Sequence, residues 1–79
     1  MRISNIEDVR FRKFWPVDRQ TPLFEVLANE DILFDVGRTS TGFDVAFHSA
    51  ASRYIWDVAL LRKVIAEVEI RIATAEREA

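Results

Sequence analysis

Apolar residues recur at helical spacing through the C-terminal part of the chain. Between Asp57 and Glu78, residues Val58, Leu61, Ile65, Val68, Ile72 and Ala75 follow one another at intervals of three, four, three, four and three. That spacing is the seam of an amphipathic helix, predicted over residues 57–77. Asp57 stands where an N-cap is needed, with Ser52 as a competing cap one turn earlier. Off the seam lie Arg62, Lys63, Glu67, Glu69, Glu76 and Arg77, and Glu67 and Arg71 have the i,i+4 spacing of a helical ion pair.

Upstream the period changes from helical to alternating. In residues 9–15 Val9 and Phe11 alternate with Arg10 and Arg12, as a half-buried strand requires, until Lys13-Phe14 breaks the pattern. Pro16 and Pro22 bracket a loop. Three short segments rich in β-branched and aromatic residues follow at 23–28, 32–37 and 43–48. Asn29-Glu30-Asp31 and residues 38–42 separate them with turn-like composition. Residues 1–8 read as a polar lead-in, frayed or the start of an edge strand, and 49–56 as the connection to the helix.

A one-residue slip turns every strand side chain to the other face, so the apolar alternation sets the register. A three-residue turn at 29–31 pairs Ala28 with Ile32, Val26 with Phe34 and Phe24 with Val36. Pairing Val36 with Phe43 then sets Phe34 beside Val45 and Ile32 beside Phe47, which builds one apolar face. The expected fold is α+β: a small antiparallel β-meander of three to four strands packed on one long C-terminal α-helix. Its core combines Phe24, Val26, Ile32, Phe34, Val36, Phe43, Val45 and Phe47 with Val58, Leu61, Ile65 and Val68.

Composition sharpens this picture in one respect. Seventy-nine residues make a single small domain, a size that usually leans on a disulfide, a metal or a second subunit. The chain has no cysteine and one histidine, which excludes a disulfide and a Cys/His zinc site. A good core or oligomerisation remains, and 49% hydrophobic residues with six Phe and two Trp can supply the former. About twenty helical residues span roughly 30 Å against roughly 20 Å for a six-residue strand, so the helix is expected to overrun its sheet. A homodimer through Val68, Ile70, Ile72 and Ala75 follows from that overhang. The net charge of −2 favours neither DNA nor a membrane surface, and no apolar run suits a membrane span or a signal sequence. A cytoplasmic location is therefore expected.

Candidate chemistry is sparse. The register aligns Glu25, Asp35 and Asp44 in one row on the face away from the helix, with Leu27, Leu33 and Ala46 beside them. Like charges directly opposite each other repel, so this row is either a polar face neutralised by nearby arginines or a docking surface for a basic partner. The basic-aromatic run 9–15, with Arg10, Arg12 and Lys13 beside Phe11 and Trp15, has the residue types of a single-strand nucleic-acid binder. His48 falls opposite Asp31 and offers a weak acid–base pair. Tyr54 and Trp56 mark the sheet-to-helix corner as core or as interface anchors. No phosphate loop, nucleophile elbow, cofactor motif or metal-ligand spacing is present. The expected function is a non-catalytic protein-interaction module (a small regulator, inhibitor or assembly factor) working as a homodimer with another protein as partner. Single-stranded nucleic-acid binding is the alternative, and an enzyme is not expected.

Overall fold

A computed structural model describes residues 1–78. Chain order is β1 (Arg2–Ile3), a 3-10 turn (Ile6–Asp8), β2 (Arg10–Phe14), β3 (Leu23–Ala28), β4 (Asp31–Arg38) and β5 (Phe43–Phe47). A second 3-10 turn (Ser49–Arg53), β6 (Ile55–Trp56) and the helix α1 (Val58–Glu78) complete it. Strands β2-β3-β4-β5 form an antiparallel meander in that order, and α1 packs on β3 and β4. The α+β architecture is the one the alternating and helical periods predict. The polar lead-in takes the second of its two expected forms, a short strand, with a partner that the sequence did not indicate. β1 pairs in parallel with β6, Ile3 is buried, and the Met1 ammonium donates to the Arg53 carbonyl at 3.0 Å. One buried isoleucine in a polar octapeptide is too short a signal to choose between a frayed end and a strand, or to name β6 as its neighbour.

The first hairpin holds Val26 against Phe34 and Phe24 against Val36, but its turn has two residues, Asn29 and Glu30. Nearer the turn Leu27 faces Ile32 and Ala28 faces Asp31, so Leu33 is an extra residue on β4. A two-residue turn and a bulge together give the same register as a three-residue turn. Asn29 takes a left-handed φ of 56°, which asparagine tolerates better than most residues. The second hairpin is shifted by two residues: Phe34 faces Phe47, Val36 faces Val45 and Arg38 faces Phe43. Arg38 belongs to the strand rather than the loop, since its guanidinium lies 4.4 Å from the Phe43 ring centroid and pairs with Glu76 at 3.0 Å. The turn is tightened by Thr39, whose Oγ1 accepts from the amides of Thr41 and Gly42. A two-residue shift preserves which side chains face the helix and changes every cross-strand neighbour.

Two apolar stripes run along α1. Leu60, Val64, Val68, Ile72 and Ala75 are buried against Phe24, Val26, Phe34 and Val36. The predicted seam members Leu61 and Ile65 are only half-buried, and Val58 is 61% exposed, so the helix is rolled away from the expected seam. Its flanks fix that roll. Arg71 reaches over the Phe11 ring of β2 at 4.5 Å and also binds Glu67 at 3.0 Å. On the other flank Glu76, on the same stripe as Val58 and Ile65, takes two hydrogen bonds from Arg38. The Asp57 carboxylate accepts from the Leu60 amide at 3.0 Å, so Asp57 and not Ser52 is the cap. Such a cap contributes about 1 kcal/mol. β4 has eight residues, about 26 Å of strand. The expected overhang therefore shrinks, and Ile72 and Ala75 near the helix C-terminus stay buried.

Candidate functional site

The acidic row predicted on the outer face is not continuous. Glu25 does face Asp35, but the shifted hairpin puts Asp44 opposite Gly37 and Ala46 opposite Asp35. Both facing acids have a cationic or imidazole neighbour. Arg12 Nε donates to Glu25 at 2.6 Å, and His48 Nε2 lies 3.0 Å from Asp35 Oδ2. The second oxygen of Asp35, Oδ1, is buried without a hydrogen-bond partner among the described residues. The apolar centre proposed beside this row is absent from the surface, because Leu27 and Leu33 are both buried. Leu33 owes this to the bulge, which turns it into the core.

Asp31 is not the partner of His48. It belongs instead to a cluster at the first hairpin, where the Tyr54 hydroxyl donates to Asp31 Oδ2 at 2.6 Å and Arg53 Nη2 donates to Oδ1 at 3.0 Å. Asn29 Nδ2 donates in turn to the Tyr54 oxygen at 3.3 Å, so Tyr54 staples the hairpin to the corner before the helix. The Tyr54 hydrogen bond, aided by Arg53, holds the Asp31 carboxyl below its ordinary range. A lowered carboxyl stabilises the fold above its unfolded pKa of about 3.9, and that stabilisation is lost as pH falls through the folded value. Tyr54→Phe is therefore expected to show a smaller loss of urea midpoint between neutral and strongly acid pH than the parent. Equal losses would mean that the Tyr54–Asp31 bond is not linked to stability.

Clefts among the described residues include one of about 370 Å³ between the N-terminal residues and Asn29 and Tyr54, and one of about 450 Å³ between Phe11 and Ile70. Neither takes in His48 or Asp35. Among the described residues no group of three or more acids or histidines is placed to hold a metal ion, and no helix is long and apolar enough to cross a membrane.

The basic segment is divided between faces. Arg10 and Arg12 lie on the outer face opposite Leu27 and Glu25, whereas Lys13 lies on the helix side opposite Phe24. Arg10 is tied to the Asn29 carbonyl at 2.6 Å, Arg12 to Glu25, and Phe11 is covered by Arg71. Trp15 is 44% exposed, with its indole N–H donating to the Arg19 carbonyl at 3.0 Å. These groups do not converge on one strand-binding surface.

The helix residues expected at a dimer interface are also mostly spoken for. Val68 and Ile72 are 0% exposed and Ala75 is buried, so they form the core of this chain; Ile70 alone, at 60%, faces out. What is left open lies on the opposite flank of the helix. Because α1 packs chiefly on β3 and β4, the helix side of the edge strand β5 is left largely open beyond Phe43. Val45 is 44% exposed there and Phe47 is 63% exposed, although the Phe47 ring packs at 5.5 Å from that of buried Phe34. Trp56 lies 6.0 Å from the same ring, and Val58, Leu61 and Ile65 continue the apolar strip along the helix. The sheet's two edges are treated differently. β2 carries Arg10, Arg12 and Lys13, which discourage pairing, whereas β5 contains no Lys, Arg or Pro and no bulge. Sequence reasoning placed Val45 and Phe47 on the correct face but assumed that the helix would cover them.

No protein-family model, curated protein or solved structure matches the chain.

Proposed function

We propose that this chain is a non-catalytic protein-interaction module, a small regulator, inhibitor or assembly factor, whose working surface is the open β5 edge and the apolar strip beside it. The observation that carries the reading is the exposure of Phe47 and Val45 on an edge strand that has no Lys, Arg, Pro or bulge. An exposed, flat, apolar edge is a hazard in an isolated chain and an asset in one that adds a strand from a partner. Backbone hydrogen bonds supply affinity in that mode, and the side chains beside the edge supply selectivity. Arg10, Arg12 and Lys13 favour nucleic acid less, since two of them are held by intramolecular hydrogen bonds and the third faces the other way.

A photo-crosslinking phenylalanine analogue at position 47 tests this in the producing cells, with the adducts identified by mass spectrometry. Position 47 is expected to give an adduct to a defined polypeptide, and position 30, on the exposed hairpin turn, to give none. Adducts no more frequent at 47 than at 30 would remove the β5 edge as the working surface.

A further inference from the structure

We infer that the polypeptide filling the β5 edge is a second copy of this chain, joined by antiparallel pairing of the two β5 strands about Val45. The inference rests on the reading of that edge as the working surface and adds what occupies it.

The backbone phase of β5 is fixed at both ends. Thr39 donates to the Gly42 carbonyl at 2.8 Å and His48 donates to the Leu33 carbonyl at 2.9 Å, both in the register that pairs Phe34 with Phe47. In an antiparallel ladder alternate residues bond to a given neighbour, so Asp44 and Ala46 turn their backbone groups toward β4. Phe43, Val45 and Phe47 therefore turn theirs toward the free edge. These same residues carry the apolar side chains on the helix side.

The edge is complementary to itself. Phe43-Asp44-Val45-Ala46-Phe47 reads Phe-x-Val-x-Phe in either direction. A two-fold axis at Val45 pairs Val45 with its own copy and sets Phe43 against Phe47 of the second copy, with every outward backbone group matched. On the other face Asp44 then lies opposite Ala46 of the second copy, so no like charges meet. Sliding the strands by two residues in one direction sets Asp44 against Asp44, which repels. The opposite slide leaves Phe43 facing Ser49, beyond the end of the strand. The centred register is the one that keeps both aromatic pairs. With β2 guarded by its basic residues, the contact closes as a pair rather than growing into a ribbon.

Light scattering over a dilution series tests the assembly. The parent chain is expected at twice the chain mass, and Val45→Lys at half of that with an unchanged far-UV circular dichroism spectrum. Because the chain lacks cysteine, a single introduced thiol reports self-contact directly. Val45→Cys, which lies on the proposed axis, is expected to give a disulfide-linked dimer on mild oxidation, and Ile70→Cys is not. A parent chain that is monomeric throughout, an assembly larger than a dimer, or crosslinking from Ile70→Cys without crosslinking from Val45→Cys would each overturn the inference. A monomer that still yields an adduct to a different polypeptide from position 47 removes the second copy as occupant and leaves the edge as the working surface. A monomer with no such adduct removes both.

Discussion

Phe34→Ala is expected to cost about 3–5 kcal/mol, a large share of the stability this chain can have. Phe34 is fully buried, and its ring lies 5.5 Å from that of Phe47 and 6.0 Å from that of Trp56. It thus joins three things: the middle of the sheet, the edge strand and the corner that launches the helix. A 79-residue chain is stable by roughly 4–12 kcal/mol in all. At about 4–8 °C per kcal/mol, the melting temperature should fall by at least about 12 °C, and a parent at the lower end would not fold. Phe34→Leu keeps most of the volume and should cost about 1 kcal/mol. Phe47→Ala is the informative contrast. Its ring touches the same core but is largely exposed, so in the monomer it should cost far less than Phe34→Ala. Thermal unfolding followed by circular dichroism measures all three. A fall of only a few degrees for Phe34→Ala would show that the core is centred elsewhere.

The contrast between Phe34 and Phe47 also shows where sequence reasoning stops. Alternation predicts which residues share a face, and that parity survives the two-residue shift of the second hairpin but fails at Ile32 and Leu33, where the bulge sets Ile32 opposite Leu27 on the outer face and turns Leu33 into the core. It could not set the loop length, because Arg38 and Thr39 look like turn residues until their partners are known. Arg38 is drawn into the strand by Phe43 and Glu76, residues five and thirty-eight positions away. The bulge at Leu33 was hidden for a related reason. A two-residue turn with one extra residue gives the same downstream register as a three-residue turn, so composition does not separate them.

The candidate site was less legible than the fold. Asp44 left the acidic row because one loop was shorter than expected, and Leu33 left the surface because of one bulge. Burial depends on what lies above a face, which alternation along a strand does not report. For β5 the needed fact was that a single helix, about 10 Å wide, roofs two strands of a four-stranded sheet. The guard residues on β2 were visible in the sequence from the start. Their meaning, as the blocked edge of a sheet with one open edge, required the strand order.

Ile72→Glu is expected to unfold the chain rather than to separate subunits. Ile72 is 0% exposed and packs in the core stripe with Val64 and Val68. Removing the side chain's burial costs about 2–5 kcal/mol, and an unpaired buried carboxylate adds several more. The sum is comparable to or greater than the whole stability of a domain this size. Ile70 is the matched control: two residues away on the same helix, 60% exposed, and expected to tolerate glutamate within about 0.5 kcal/mol. Circular dichroism and light scattering on the two variants separate the possibilities. A folded, monomeric Ile72→Glu would show that the stripe is dispensable to the single chain and is an intersubunit seam after all. An Ile70→Glu variant that stays folded but loses a dimer would move the interface to the outer face of the helix. If instead Ile72→Glu unfolds and Ile70→Glu does nothing, the helix is committed to its own sheet. The proposed contact surface then stays where that stripe does not reach, along β5 and the apolar strip of Val58, Leu61 and Ile65 beside it.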